Sequence, residues 1–234
     1  MGQHLRVLCA RSMTTAVGTL ADKFRRAGAG DVEITFGTVG ALQARLAAGE
    51  TADLLILGAP TIAGMEQSGA VRAGSRRDIA RTSIGVAARE GAPAPDISTE
   101  ELFRRALLGA RVVAFSDPAV GGSAGVHLAA LWDRMGLAEE MARKALPQQS
   151  GGEVAARVAE GRADIGLTLI AEIVPVAGAR VIGKLPHPLG NDTTYACGIS
   201  AGCSNTATAA AFIAALLEPA ERDVWTAAGF EWMG

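Results

Sequence analysis

Four turns in this chain of 234 residues carry the residue types that could hold a small anion. They are Arg11-Ser12, Thr38 to Gly40, Gly122 to Gly125 and Gly151 to Val154. Each follows a strand-like run or a Gly pair and opens a helical pattern. Each therefore offers N–H groups that no helical carbonyl satisfies, at the positive end of a helix. Glycine lets a ligand come close to the main chain. In parallel α/β sheets such turns leave the carboxyl ends of strands, where ligands bind. One helix terminus contributes about 0.3–1 kcal/mol, whereas micromolar affinity requires about 8 kcal/mol. Hydrogen bonds and exclusion of water must supply the rest. Arg11 is the one basic residue in the four turns, which suits a small dianion better than a tricarboxylate. The competing explanation at each turn is helix capping alone, by Ser12 and Ser123 above all.

The elements that must position these turns alternate along the chain. Leu5 to Ala10 reads as a strand, with Ser12 placed to cap a helix from Met13 to about Ala27. Val32 to Phe36 alternates as a strand, and the helix after Thr38 carries Leu42, Leu46 and Ala47 on one face. Leu54 to Leu57 is the uniformly apolar strand of a parallel sheet, followed by a helix near Thr61 to Gly69. The rhythm then repeats. Ser83 to Ala88 is a strand, Ser98 caps a helix with Glu101 three residues on, and Arg111 to Phe115 is a strand. Gly121 to Gly125 opens a helix through Leu128, Leu131 and Met135; Gly151-Gly152 opens another bearing Val154, Val158 and Ala159. Asp164 to Ile170 and Thr193 to Ile199 are strands, Thr206 to Leu217 is an Ala-rich helix, and Pro219 to Ala228 is a last short one. Asp53 and Asp164, each before an apolar strand, are expected to bond local backbone.

Two α/β lobes follow from this order, each a mainly parallel sheet flanked by helices. The expected division is residues 1–80 with 195–234 in lobe 1 and 81–194 in lobe 2, joined by two crossovers and with a ligand cleft between them. The crossovers fall near Asp78 to Thr82 and near Leu185 to Tyr195, where Pro186, Pro188 and Gly190 cluster.

Composition narrows the function classes. Hydrophobic residues are 49%, charged residues 20% and the net charge is -2, a balance that asks for neither nucleic acid nor an anionic membrane. Aromatics at 4% leave few stacking platforms. No apolar run reaches the length of a membrane span. Three cysteines, an odd count without zinc-ligand spacing, read as reduced and buried thiols. No nucleophile triad, Walker loop, dinucleotide fingerprint or metal cluster stands in the sequence, so neither cofactor nor metal is expected. No secretory leader precedes the first strand. The compartment is cytoplasmic if the chain is full-length and periplasmic if it is a processed form. A monomer is expected.

The order Ala10-Arg11-Ser12, Gly40-Ala41-Leu42, Gly49 to Leu57 (GETADLLIL), Asp117-Pro118 with Ser123-Ala124-Gly125, and Ala163-Asp164-Ile165-Gly166 resembles the periplasmic molybdate-binding protein family. The resemblance runs through nearly the whole chain as short spaced matches. It implies a type II periplasmic-binding-protein fold with an oxyanion between two lobes, and an ABC transporter permease as partner if the protein is exported. The family's first-turn Ser matches Ser12, and its backbone donors match Ala124 and Val154. Two side-chain donors depart from the pattern. The second-turn Ser is replaced by Val39, with Thr38 one residue earlier. The family's ligand-reaching Tyr falls near Leu169, beside Thr168. With Arg11, Ser123 and Gly125, these are the expected ligand-binding residues.

The departures make the chain similar to a branch that includes bacterial aconitate isomerases, enzymes on the same scaffold. Two functions stay open on this reading. One is a solute-binding protein closing on an oxyanion or small di- or tricarboxylate. The other is an isomerase shifting a proton across an allylic polycarboxylate, which needs a base near an activated carbon. His127, Glu153 and Glu172 are the candidate bases by position. Each has a plainer explanation: a packed helical histidine, a first-turn acid against the helix dipole, and a solvated carboxylate. His4 and His187 are weaker candidates, and Asp117 before Pro118 reads as a turn former.

Overall fold

The computed structural model describes residues 4–234. They divide into two compact units, one made of the chain up to Arg81 together with Thr193–Gly234, the other of Thr82–Asp192. In the first unit, β1 (His4–Ala10), α1 (Thr14–Arg26), β2 (Asp31–Gly37), α2 (Val39–Ala47), β3 (Leu54–Gly58) and α3 (Ala59–Gln67) alternate. β4 (Arg77–Arg89) starts in this unit and continues into the second.

The second unit adds α4 (Glu100–Gly109), β5 (Val113–Ser116), α5 (Ser123–Arg134), α6 (Ala138–Lys144), β6 (Ala145–Gln148), α7 (Gly151–Ala159), β7 (Ile165–Leu169), α8 (Ile170–Ile173) and β8 (Ala179–Lys184). β9 (Asp192–Ile199) returns the chain to the first unit, which α9 (Thr206–Leu216), α10 (Arg222–Ala227) and β10 (Glu231–Trp232) complete.

Both units use one plan. In the first, β1 lies between β2 and β3 and is parallel to both, and β9 runs antiparallel beside β3. In the second, β5 lies between β6 and β7, parallel to both, and β4 runs antiparallel beside β7. Parallel strands need crossover helices, which bury both faces of the sheet and explain the uniformly apolar strands. Along β5 the two faces separate residue by residue. Val113 and Phe115 join a core with Phe103, Leu128 and Trp132, while Ala114 joins another with Val154, Val158 and Ile173. Phe115 meets Trp132 edge-on at 6.2 Å. In the first unit Phe24 and Phe212 make a similar contact at 5.2 Å, holding α1 to α9.

Several elements differ from the sequence reading. Met13, not Ser12, precedes α1, because Arg11–Met13 forms a short 3-10 turn first. Thr99 rather than Ser98 caps α4, accepting from the Leu102 N–H at 3.2 Å, while the Ser98 N–H donates to Asp96. β4 begins six residues earlier than expected, at Arg77. Its charged start masks a strand whose Arg81 backbone pairs with Glu231 of β10. α6, β6, α8, β8 and β10 carried no usable signal. β6 holds Pro147 and lies at the sheet edge, where a missing N–H is tolerated.

Asp53 and Asp164 do bond backbone, but on β1 and on the segment leading into β5 rather than nearby in sequence. The Arg6 N–H donates to Asp53 at 2.9 Å and the Arg111 N–H to Asp164 at 2.7 Å, across 47 and 53 residues. Each carboxylate thus ties the third parallel strand of its unit to the first. The Arg111 guanidinium, aided by backbone N–H groups, holds the Asp164 carboxyl below the usual carboxylate range.

Two outcomes follow. The folded Asp164 carboxyl titrates below its unfolded value, so its stabilisation is complete above the ordinary carboxylate range and lost as pH falls through the folded value. Asp164→Ala should therefore lower the thermal midpoint at neutral pH, and the gap to the unsubstituted protein should close in acid. At Gly125 a Cβ would lie 2.6 Å from the Ser116 carbonyl oxygen, a backbone atom that cannot swing away. Gly125→Ala should cost about 1–3 kcal/mol in urea unfolding, against a near-neutral Gly122→Ala, where a Cβ meets nothing within 4 Å.

Candidate functional site

In the first unit the register of β1 against β2 pairs Ala10 with Gly37. The Arg11-Ser12 turn and the Thr38-Val39-Gly40 turn therefore leave the same sheet edge side by side. Thr38 is the N-cap of α2, its Oγ1 accepting from the Ala41 N–H at 3.2 Å. That cap uses a lone pair and leaves the hydroxyl proton to donate. The first-turn N–H groups of Val39 and Gly40 have no intrahelical acceptor; Val39 is half-buried and Gly40 exposed. Arg11 is exposed, and its carbonyl accepts from Thr14 Oγ1 at 2.6 Å.

Ser12 is half-buried and does not cap a helix. Its hydroxyl donates to the phenol oxygen of Tyr195 at 2.6 Å. Tyr195, the one tyrosine of the chain, sits 4% exposed on β9, opposite Gly58 at the carboxyl end of β3. Phe230 holds its ring edge-on at 6.0 Å. Sequence reasoning missed Tyr195, looking instead for an equivalent near Leu169. The signal available was the chain's lone phenol, at the start of the buried half of β9.

In the second unit α5 opens at the end of β5. Gly122 precedes it with no side-chain cap, and Ser123, Ala124 and Gly125 form its first turn. Ser123 is exposed, while Ala124 and Gly125 are buried. Asp117 closes the preceding turn by accepting from the Ala119 N–H at 2.8 Å, the turn-forming role expected of it.

The corner at α7 is built differently. Ser150 is the N-cap, accepting from the Glu153 N–H at 3.3 Å. Val154 is fully buried, and its N–H donates to the Ser150 carbonyl at 3.1 Å within the helix. Over the first residue of α7 lies the Glu172 carboxylate: a Cβ on Gly151 would fall 2.1 Å from Glu172 Oε2 and 2.2 Å from Thr168 Oγ1. Thr168 is fully buried, donates to Glu172 at 2.8 Å, and shares a second hydrogen bond with the buried Ser116 hydroxyl at 2.9 Å. Because the Thr168 proton goes to Glu172, Ser116 is the donor of the Ser116–Thr168 bond. Thr168, expected at the ligand, instead orients a carboxylate.

The other candidate bases are engaged in structure. His127 Nε2 lies 2.8 Å from the Leu189 carbonyl and so carries the proton of that bond. Glu153 is exposed and accepts from the Gln149 N–H at 3.1 Å, a helix-start acid. His4 pairs with Asp31 and Glu33 on the surface. Cys9, Cys197 and Cys203 are buried and unpaired, with burial pushing the Cys197 thiol up to about 12. Among the described residues, no cluster of three His, Cys, Asp or Glu could hold a metal ion, and no helix is long and apolar enough to cross a membrane.

Two α/β units of this strand order, with helix-opening turns at the strand ends, define the two-lobed fold of periplasmic binding proteins. Residues 5–231 match the bacterial extracellular solute-binding protein family, and the chain belongs to it. Among solved structures, it is similar to the substrate-binding domain of a putative molybdenum ABC transporter from Clostridium difficile, with TM-score 0.78, 16% identity and 99% of each chain covered. It is also similar to the periplasmic molybdate-binding protein of Azotobacter vinelandii, with TM-score 0.76, 20% identity, and 98% of this chain and 100% of that one covered. A Pseudomonas protein named aconitate isomerase is 35% identical over 158 residues, which are 66% of this chain and 58% of that protein.

The Ser12–Tyr195 bond is open to direct measurement. In a double-mutant cycle of Ser12→Ala and Tyr195→Phe, followed by urea unfolding, the coupling should be about 0.5–1.5 kcal/mol, the worth of a net hydrogen bond. A coupling near zero would mean that the two hydroxyls act separately.

Proposed function

We propose that this solute-binding protein takes a small anion, an oxyanion or a small carboxylate. The donors in the first unit are Thr38 and the Val39 N–H, with Arg11 adding charge; Ser12, whose proton goes to Tyr195 here, joins them by turning that proton to the ligand. In the second unit they are Ser123 and the Ala124 and Gly125 N–H groups. The observation that carries this reading is the shared plan of the two units. In each, a helix opens at the carboxyl end of a central parallel strand or its neighbour, with first-turn N–H groups that lack helical acceptors. The names of the structural relatives, which include molybdate-binding proteins, support an anionic solute. An ABC transporter permease is the natural partner if the protein is exported, and the monomer is the functional form.

Titration calorimetry with molybdate, tungstate, sulfate, and small di- and tricarboxylates tests this. Binding at about micromolar strength or tighter is expected for at least one of them, weakened by Ser12→Ala and by Thr38→Val. Silence across the series would remove the reading.

A second reading rests on the relative named aconitate isomerase. On it, the same donors hold an unsaturated polycarboxylate while a base moves an allylic proton. Glu172 is the carboxylate with hydroxyl support suited to that base. Incubation with cis- or trans-aconitate, followed by chromatography, decides between them. Interconversion lost in Glu172→Gln would establish the isomerase; no turnover together with tight oxyanion binding would leave the solute-binding role alone.

A further inference from the structure

We propose that Tyr195 sets how tightly the first unit takes its ligand, because its phenol oxygen competes with a bound anion for the one proton of the Ser12 hydroxyl. The inference rests on the proposed anion-binding role and deepens it.

Ser12 lies two residues beyond β1, whose last residue, Ala10, pairs with Gly37 just ahead of the Thr38 turn. Its hydroxyl donates to the Tyr195 phenol oxygen at 2.6 Å. A serine hydroxyl carries one proton, so this bond and a bond to a ligand exclude each other. The phenol cannot follow Ser12 if it turns away. Tyr195 stands on β9 opposite Gly58, 4% exposed, with its ring edge-on to Phe230 at 6.0 Å. Phe230 in turn meets Trp225 edge-on at 5.7 Å. Trp225 is fully buried, and its indole N–H donates to the Leu216 carbonyl at 3.0 Å. Ser12, by contrast, is half-buried in a three-residue turn. Rotation of its side chain to another staggered position moves the hydroxyl while the phenol stays in place.

Charge decides which ligands gain from the exchange. A neutral acceptor on a ligand replaces one neutral bond by another and gains little. A carboxylate or oxyanion oxygen does gain, because charge-assisted bonds are about twice as strong. The pair therefore makes Ser12 a donor for charged oxygens, at an affinity reduced by the bond that is given up. The net worth of one such bond corresponds to about two- to tenfold in affinity.

The test is a binding cycle on Ser12→Ala, Tyr195→Phe and the double variant, read by titration calorimetry with molybdate, tungstate, sulfate, malate and citrate. Tyr195→Phe should bind each anion that the unsubstituted protein binds about two- to tenfold more tightly, and Ser12→Ala should bind it more weakly. In the Ser12→Ala background the gain from Tyr195→Phe should vanish, which separates competition for the proton from any other effect of removing the phenol. Tyr195 is the one tyrosine of the chain, so a tyrosine Cζ carbon-13 label gives a single resonance. Saturating anion should move that resonance as Ser12 withdraws, by more than twice as much as in Ser12→Ala. If Tyr195→Phe does not fold, the label decides alone. Equal or weaker binding by a folded Tyr195→Phe would overturn the inference, as would a gain that persists in Ser12→Ala or a resonance that responds alike with and without the Ser12 hydroxyl. These results leave anion binding intact. Silence toward all five anions, in Tyr195→Phe as well, removes the anion-binding reading and this inference with it.

Discussion

A strand parallel to its neighbour cannot be reached by a tight hairpin, so the chain must cross over the sheet, and here it does so mostly through helices. That constraint shapes both units of this protein. It places helix starts at the carboxyl ends of the parallel strands and leaves first-turn N–H groups without partners inside the helix. It also requires both sheet faces to be covered, which is why β3 and β7 are buried almost throughout. The two aspartates ahead of those strands secure the same arrangement from the opposite end, Asp53 accepting from the backbone of β1 and Asp164 from the backbone just ahead of β5.

The open helix starts are handled individually. Thr38 satisfies one donor of α2 and keeps its own proton. α5 has no side-chain cap, and Gly125 lets its first turn press on the Ser116 carbonyl. At α7, Ser150 and Glu153 close the helix start locally, while Glu172 arrives from α8 and covers Gly151. The same backbone geometry thus leaves first-turn N–H groups without helical acceptors in one place and seats an internal carboxylate in another. The difference lies in side chains that follow the next strand, not in the turn.

Polar groups near these turns are paired across long sequence separations. Ser12 reaches Tyr195 across 183 residues, and Ser116 reaches Thr168 across 52. A hydroxyl that would otherwise cap a helix or stand in solvent becomes part of a network with a defined direction of donation. Such networks hold their members more firmly than isolated pairs would. In the second unit the network includes a carboxylate, and in the first a phenol whose ring is packed against Phe230.

The amino-acid order by itself determined the alternation of strands and helices, because short apolar runs bounded by Gly, Asp and Ser are too brief for helices and read as buried strands. It also determined that a helix would follow the Thr38 turn and that Gly151-Gly152 would open another. It did not reveal β6 or β8, whose few residues lack a burial period, nor the true start of β4, where Arg77 and Asp78 are held by neighbours and Arg81 by Glu231 of β10. The roles of Ser12, Thr168 and Glu172 were decided only by tertiary structure. A hydroxyl or carboxylate has the same local sequence cost whether it faces water, a helix start or another hydroxyl, and the choice depends on which distant strand the register brings beside it.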